Sequence, residues 1–258
     1  MTSTMKNKQL LPKNKVLKSI LSAVVILSIW EIIALVVSDS YFMPRVEETF
    51  AALVKIVASK SFFKVIFTAF YRVILGIALG ILLGIAVATI CHKSDLVNTL
   101  LSPVISIMKA TPVACIIVLL WIRLNYTEIA VFVVVLMVLP IIWQNVYDGF
   151  NAIDRNLTEV ADVFQFSRIK RIKFLIIPSI TSYLLPAIVT AIGLAWKAEI
   201  AAEIMTNSNI GALIYDYKTV SYDSASIFAW TVIIVCFSII FEKSARYLLR
   251  RASNELNG

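Results

Sequence analysis

Six long apolar runs dominate this sequence and limit what it can fold into. A helix needs about 20 mostly apolar residues to cross the hydrocarbon core of a bilayer. Only 16% of the 258 residues are charged and 60% are hydrophobic, whereas soluble domains average about 25% charged residues. The sequence therefore predicts an all-α membrane protein with six transmembrane helices. The expected spans lie at 16–38, 68–91, 103–123, 127–147, 174–196 and 226–249.

The lysines and arginines are divided unevenly between the two ends of these spans. Of the 24, 15 lie on the side of the N-terminus, eight lie on the opposite side, and Lys109 falls inside the third span. Because cytoplasmic loops carry the excess of Lys and Arg, both termini are expected in the cytoplasm, with a tail at 1–15 and an uncleaved first helix. The same bias explains the net charge of +8, so nucleic acid is not an expected partner.

Two local patterns predict how the helices pack and where one of them lies. Gly76, Gly80 and Gly84 recur every four residues in the second span, and such a small-residue stripe lets another helix approach closely. The stretch after Pro44 has apolar residues at helical spacing with Glu and Lys between them. It predicts an amphipathic helix on the outer membrane surface.

The connection between the fourth and fifth spans, at 148–173, is the longest loop on the side of the termini. Asn156 followed by Glu159 has the spacing of a capping box, so we expect a short helix to begin there. Its apolar residues would form a compact knob: Leu157, Val160, Val163 and Phe164. Charge patterning alone leaves a solvated surface loop as an equal alternative.

This loop resembles the EAA loop of the permease subunits of ABC importers. The family motif is Glu-Ala-Ala, three residues, Gly, nine residues, Ile, one residue and Leu-Pro. Here Glu159, Val160 and Ala161 open the segment and Pro178 closes it at the family spacing, with Gln165 where the family usually has Gly. The resemblance covers most of the chain beyond the first 15 residues and is strongest to the nitrate/sulfonate/taurine-type branch. Its other similar segments are 43–53, 70–85 and 193–216.

The resemblance implies a type I ABC importer permease fold with a cytoplasmic coupling helix, in the plasma membrane of a bacterium. Two permease copies would form the pathway, and two cytoplasmic ATPases would dock on the loop. An extracytoplasmic solute-binding protein would deliver the cargo from outside, and membrane lipids would surround the permease. The docking residues would be Glu159, Val160, Ala161, Val163, Phe164, Gln165 and Pro178. The chain lacks a G-x-x-x-x-G-K-S/T phosphate loop. We therefore expect no cofactor on this chain, with ATP and Mg²⁺ held by the partner ATPase.

Ionisable groups at membrane depth are costly and indicate a pathway or an internal partner. For Lys109 and Lys197 the alternatives are contact with an anionic or zwitterionic solute and snorkelling to the headgroups. Glu199 and Glu203 share a helix face, where like charges need a proton, a cation or another residue between them. They either line the pathway or form a structural bond. The candidate pathway residues are Lys109, Thr111, Pro112, Lys197, Glu199 and Glu203.

Three other functions were weighed. An ion-coupled secondary transporter would use Lys109, Glu199 and Glu203 as coupling groups. The scaffold of a vitamin-type importer would also dock ATPases. An intramembrane enzyme is not expected, because the sequence has neither a catalytic constellation nor metal-ligand spacing, and its single histidine, His92, is expected to be solvated. Nitrate, an aliphatic sulfonate, taurine, bicarbonate and a thiamin-pathway pyrimidine all remain possible cargoes.

Overall fold

The computed structural model describes residues 12–257, which form helices and no strand. Residues 1–11 of the predicted tail lie outside the described residues, and 12–15 belong to the first helix. The helices are α1 (Pro12–Val37), α2 (Val46–Val57), α3 (Phe62–Lys93), α4 (Asp95–Ala110), α5 (Val113–Trp121), α6 (Tyr126–Asn151), α7 (Arg155–Val163), α8 (Arg168–Arg171), a π-helix (Ile172–Ile176), α9 (Ile177–Met205), α10 (Asn209–Thr219) and α11 (Ser224–Asn257).

Five stretches of helix are long and apolar enough to cross a membrane: Leu17–Val37, Phe62–Lys93, Tyr126–Asn151, Arg168–Met205 and Ser224–Leu249. The pair α4 and α5 makes a sixth if it is counted as one broken span. The all-α membrane fold is therefore confirmed. The span predicted at 103–123 corresponds to two helices, α4 and α5, which meet at an angle of 97° across a break at Thr111 and Pro112. Pro112 has no amide hydrogen to continue α4 and holds Thr111 in an extended conformation, with ψ at 125°.

By contact the chain divides into two compact units, residues up to Ser59 with 217–231, and residues 60–216 with those from 232 onward. In the second unit α6 packs between α3 and α9. The glycine stripe of α3 faces β-branched residues of α6, in the pairs Gly76 with Val134, Gly80 with Val138 and Gly84 with Ile142. A β-carbon added at any of the three glycines would lie within 2.7 Å of its partner side chain. The stripe therefore allows α3 and α6 to approach more closely than larger residues would permit.

The end of α6 is fixed on the start of α9 by a close backbone approach. A β-carbon at Gly149 would lie 2.9 Å from the Cα of Ile180. The Ser179 hydroxyl donates a hydrogen bond to the Gly149 carbonyl at 2.6 Å. These contacts determine where the connection containing α7 leaves α6 and where it rejoins the bundle.

In the first unit the predicted amphipathic helix is present as α2, and α1 holds its first turn. Glu31 accepts hydrogen bonds from the Arg45 guanidinium at 2.8 Å and from the Val46 amide at 3.1 Å. The hydrogen bond that Arg45 donates to Glu31 raises the pKa of the Arg45 guanidinium above its usual value. Trp30 donates to the Pro44 carbonyl at 3.0 Å. Glu31 thus has a structural role in joining α1 to α2.

Candidate functional site

The short helix α7 has its N-cap two residues earlier than the sequence pattern predicts. The side chain of Asp154 accepts a hydrogen bond from the Asn156 amide at 2.9 Å, which makes Asp154 the N-cap. Asn156 already lies in the first turn and supplies the amide that is capped. The predicted cap at Asn156 is therefore wrong, because Asp154 accepts from the Asn156 amide and so places Asn156 inside the first turn.

Most side chains of α7 are exposed to solvent, and one is buried. Ala161 is 1% exposed and is the only residue of α7 that is buried. Val163 and Phe164 are 79% and 71% exposed, and Leu157, Val160 and Glu159 are also exposed. The helix therefore rests on the body through one small residue and presents an apolar surface outward, which we call the α7 knob: Leu157, Val160, Val163 and Phe164.

The turn that ends α7 is a Schellman motif built without glycine. The Phe166 amide donates to the Ala161 carbonyl at 2.9 Å, and the Gln165 amide donates to the Asp162 carbonyl at 3.0 Å. Gln165 takes the left-handed conformation, with φ at 48°. The tight turn is thus formed at the position where glycine is the usual residue, at a conformational cost of about 1–2 kcal/mol for a side chain with a β-carbon.

After this turn the chain returns to the bundle through α8 and the π-helix. Arg171 of α8 forms an ion pair with Asp162 of α7, and its Nε donates to the Phe166 carbonyl at 3.4 Å. Pro178 is the second residue of α9, directly after the π-helix. Leu157 and Pro178 both line a cleft of about 290 Å³ beneath α7. This cleft places the first half of α7 next to the first turn of α9.

Lys109 lies in the last turn of α4, directly before the break at Thr111 and Pro112. Its ammonium donates to Gln144 Oε1 of α6 at 3.2 Å and lies 5.9 Å from the centre of the Trp143 ring. Thr111 donates its hydroxyl hydrogen to a carbonyl of its own helix, and Lys109 remains exposed. Since an ammonium has three hydrogens, Lys109 can donate to further groups besides Gln144.

Other polar side chains of α4 and α6 extend this cluster. The Gln144 amide donates to Asp148 at 3.1 Å, so Gln144 connects Lys109 to a carboxylate. Asn98 donates to the Tyr147 hydroxyl at 2.9 Å, and Ser102 donates to Asn98 at 3.1 Å. Sequence reasoning missed these residues. The available signal was the one-turn spacing of Gln144 and Asp148 near the end of an otherwise apolar helix.

Glu203, near the end of α9, is bound on three sides. Arg72 of α3 donates to its Oε1 at 2.9 Å, and the Asn209 side chain donates to the same oxygen at 2.8 Å. The Ile210 amide donates to its other oxygen at 3.0 Å. Arg72 also donates to the Thr127 hydroxyl at 3.1 Å. Glu203 therefore makes the structural bond that the sequence left as one of two alternatives.

Arg72 is the partner that sequence reasoning missed. It lies inside the predicted second span, at 68–91. A guanidinium within an apolar helix requires a carboxylate at similar depth, and this requirement was the signal that pointed to Glu203.

The other two predicted charges of α9 differ from each other in exposure. Glu199 is fully buried, and neither of its oxygens has a hydrogen-bond partner within the described part of the chain. Lys197 is exposed. The hydrogen bonds thus form two separate clusters. Lys109 lies with Gln144 in the first, and Glu203 lies with Arg72 in the second. These hydrogen bonds do not combine the predicted pathway residues into a single site.

His92 is exposed, in agreement with the sequence-based expectation of a solvated side chain, and it also has an aromatic neighbour. Its ring stacks on Phe150 with centroids 4.3 Å apart and an angle of 6° between the planes. The stack joins the end of α3 to the end of α6, which places His92 in a packing role.

Comparison with known proteins decides the family. Residues 76–254 match the sequence profile of the family described as binding-protein-dependent transport system inner membrane component. The chain belongs to this family. The expectation of an ABC importer permease of the nitrate/sulfonate type is thereby confirmed, and α7 lies in the matched region of this permease.

Several relatives of the permease are themselves transport permeases. Over 238 residues it is 24% identical to the putative aliphatic sulfonates transport permease protein of Bacillus subtilis, covering 91% of this chain and 86% of the relative. Over 128 residues it is 30% identical to the nitrate import permease protein of Synechococcus elongatus, covering 49% and 46% of the two chains. The bicarbonate transport system permease protein of the same organism is 27% identical over 156 residues, covering 59% and 56%.

A solved structure shares the fold of this permease. It is described as the crystal structure of an amino acid ABC transporter with histidines, and it aligns with a TM-score of 0.59 at 17% identity. The alignment covers 74% of the permease and 91% of the solved chain. At this level of identity the similarity shows the fold alone.

Proposed function

We propose that this permease forms the pathway of an ATP-driven importer and that α7 is the helix through which separate ATPase subunits act on it. The observation that carries the proposal is the exposure of the α7 knob. Val163 and Phe164 expose most of their apolar surface at the end of a helix that is capped at both ends. Short amphipathic helices with such a face bind in apolar grooves of partner proteins.

The surroundings of α7 support a cytoplasmic position. The four cations that follow it are Arg168, Lys170, Arg171 and Lys173. Clusters of this kind mark the cytoplasmic side of a bilayer, where the partner ATPase has access to ATP and Mg²⁺. With an even number of crossings, both termini would then lie in the cytoplasm.

The solute is proposed to be a small anion or zwitterion that passes Lys109. This ammonium lies beside the break between α4 and α5, is exposed, and has donors beyond the one that Gln144 uses. A charge held at membrane depth is stabilised when it faces a polar path rather than lipid. The relatives named for aliphatic sulfonates, nitrate and bicarbonate transport anions of this size.

The assembly is proposed to contain two copies of the permease, two ATPase subunits and an extracytoplasmic solute-binding protein, surrounded by membrane lipids. ATP hydrolysis would belong to the ATPase subunits, and this chain would not be an enzyme. The alternative of an ion-coupled secondary transporter has less support, because Glu203, one of its three coupling groups, is already occupied by Arg72, Asn209 and the Ile210 amide.

Docking is tested by placing a charge on the α7 knob. We expect Val163→Asp to reduce the ATPase that co-purifies with the tagged permease from its host at least about tenfold, because the buried charge would cost more than 1.4 kcal/mol at the interface. Ala161→Pro and charge reversal at Glu159 should also abolish co-purification and uptake while membrane insertion remains intact.

The matched control is Val220→Asp, since Val220 is an equally exposed valine outside α7, at 72%. It should retain the ATPase. Normal co-purification with Val163→Asp would refute the docking role. Uptake by vesicles that lack the ATPase but carry an ion gradient would favour the secondary transporter instead.

A further inference from the structure

The turn between α7 and α8 is the one interruption of helix between the α7 knob and α9. It comprises residues 164–167 and includes Gln165 in the left-handed conformation. From Arg168 onward, α8, the π-helix and α9 continue without a gap. Along the chain, a movement imposed on α7 therefore passes through this turn to reach α9.

A residue with a β-carbon does not favour the conformation that this turn requires. Glycine adopts positive φ without steric cost, whereas Gln165 does not. Both Schellman hydrogen bonds are nevertheless made, at 2.9 and 3.0 Å. Another interaction must help to keep the turn closed.

Arg171 supplies that interaction from the far side of the turn. Its guanidinium forms an ion pair with Asp162, which precedes Gln165, and donates to the carbonyl of Phe166, which follows it. One planar group thus binds the chain on both sides of the strained residue. A guanidinium can do this because its donors point in fixed, divergent directions.

We propose that Asp162 and Arg171 form a staple that makes the turn rigid, so that α7 moves together with α9 when an ATPase moves it. The proposal rests on the docking role of α7. The staple has a different effect from docking: the α7 knob determines whether an ATPase binds, and the staple determines whether the movement of the bound ATPase reaches the membrane helices. Asp162 and Arg171 are therefore positioning residues.

The staple is expected to act locally. Both side chains are partly exposed, and an exposed ion pair contributes little to global stability. Asp154 and the buried Ala161 still hold α7 in place when the staple is removed. Loss of the staple should therefore loosen residues 164–167 without unfolding α7 or releasing a partner from the α7 knob.

The first experiment is hydrogen exchange on the purified permease, without any partner. We expect Arg171→Ala to raise the exchange rates of the Gln165 and Phe166 amides about fivefold, since local opening sets these rates. The charge-swapped pair Asp162→Arg with Arg171→Asp should restore slow exchange in part, because the ion pair returns but a carboxylate cannot donate to the Phe166 carbonyl. Gln165→Gly should slow exchange in the Arg171→Ala background. The control is Arg168→Ala, an exposed arginine of the same short helix. Unchanged exchange in Arg171→Ala would refute the staple.

The second experiment follows the movement itself. In a permease whose three cysteines are replaced by serine, Thr190→Cys places a thiol at an exposed position of α9, and its maleimide labelling rate is measured with ATP and vanadate. We expect the nucleotide to change this rate at least about threefold when the staple is intact and to have no effect with Arg171→Ala, although the ATPase remains bound. A full nucleotide response in Arg171→Ala would overturn the coupling role.

The outcomes separate the staple from docking. Loss of the ATPase from Arg171→Ala would also overturn the proposal, because Arg171 would then act in docking. If Val163→Asp kept its ATPase, docking through the α7 knob would fail, and with it the coupling role of the staple. The exchange rates of the permease alone would still show whether the staple exists.

Discussion

Arg72 and Glu203 lie 131 positions apart in the chain, and their side chains meet at 2.9 Å in the interior of the second unit. Glu203 also holds the Asn209 side chain and the Ile210 amide, so one carboxylate joins α3, the end of α9 and the start of α10. Gly211 completes this turn, because no β-carbon fits there against the Glu203 carbonyl. The pair therefore holds together the part of the fold where three helices converge.

Removing the cation of this pair should destabilise the permease strongly. We expect Arg72→Leu to lower the free energy of unfolding by about 3–5 kcal/mol, since it leaves a buried carboxylate without its counter-ion. The measurement is denaturant unfolding in detergent micelles. The control is Arg246→Leu, which breaks an exposed pair with Glu242 and should cost less than about 1 kcal/mol. Equal losses in the two variants would contradict a dominant role for Arg72.

The glycine stripe gives a second prediction about stability. We expect Gly80→Ala to cost about 1–3 kcal/mol, because the added β-carbon would lie 2.7 Å from Val138. Val138→Ala in the same chain should recover part of the loss by making room for it. The control is Gly193→Ala, where the nearest atom would be 3.7 Å away. Thermal unfolding should show no loss for Gly193→Ala, and a neutral Gly80→Ala would argue against close packing of α3 on α6.

The assignment of Asp154 as the N-cap of α7 can be tested against Asn156, the cap predicted from the sequence. Asp154→Ala should destabilise the first turn of α7 by about 0.5–2 kcal/mol, because it removes the acceptor for the Asn156 amide. Asn156→Ala leaves that hydrogen bond in place and should have little effect. Hydrogen exchange of the amides at 155–158 measures both variants. Faster exchange in Asn156→Ala than in Asp154→Ala would restore the capping box as the correct assignment.

Lys109 gives a prediction about transport. Lys109→Ala should lower the maximal uptake rate at least about tenfold, equivalent to about 1.4 kcal/mol, if the ammonium assists passage of an anion. Uptake of labelled nitrate, bicarbonate and an aliphatic sulfonate is measured in host cells. ATPase co-purification should remain normal in this variant. Lys93→Ala is the control, as an exposed lysine at the end of α3, and unchanged uptake in Lys109→Ala would leave Lys109 with a structural role only.

The loop at 148–173 shows which structural features could be predicted from its sequence and which could not. The short helix, its apolar knob and the Glu159 to Pro178 spacing are all visible in the order of residues, because helical periodicity is a local property. The choice of Asp154 over Asn156 as cap was not visible, since Asp and Asn are both favoured N-cap residues and the backbone path decides between them. The left-handed Gln165 was also hidden, because its partners lie across a turn.

By itself the sequence determined that this chain is an all-α membrane protein with a short amphipathic helix between its fourth and fifth predicted spans. Apolar length and periodicity are sufficient for these two conclusions, whereas the family rests on the motif resemblance and on the profile match. Only the tertiary structure decided that Arg72 binds Glu203, that Lys109 binds Gln144, that Arg171 closes the turn after α7 and that α4 bends away from α5 at Pro112. The pairings join residues on different helices, and both they and the bend angle depend on how the helices pack, which no local pattern of residues encodes.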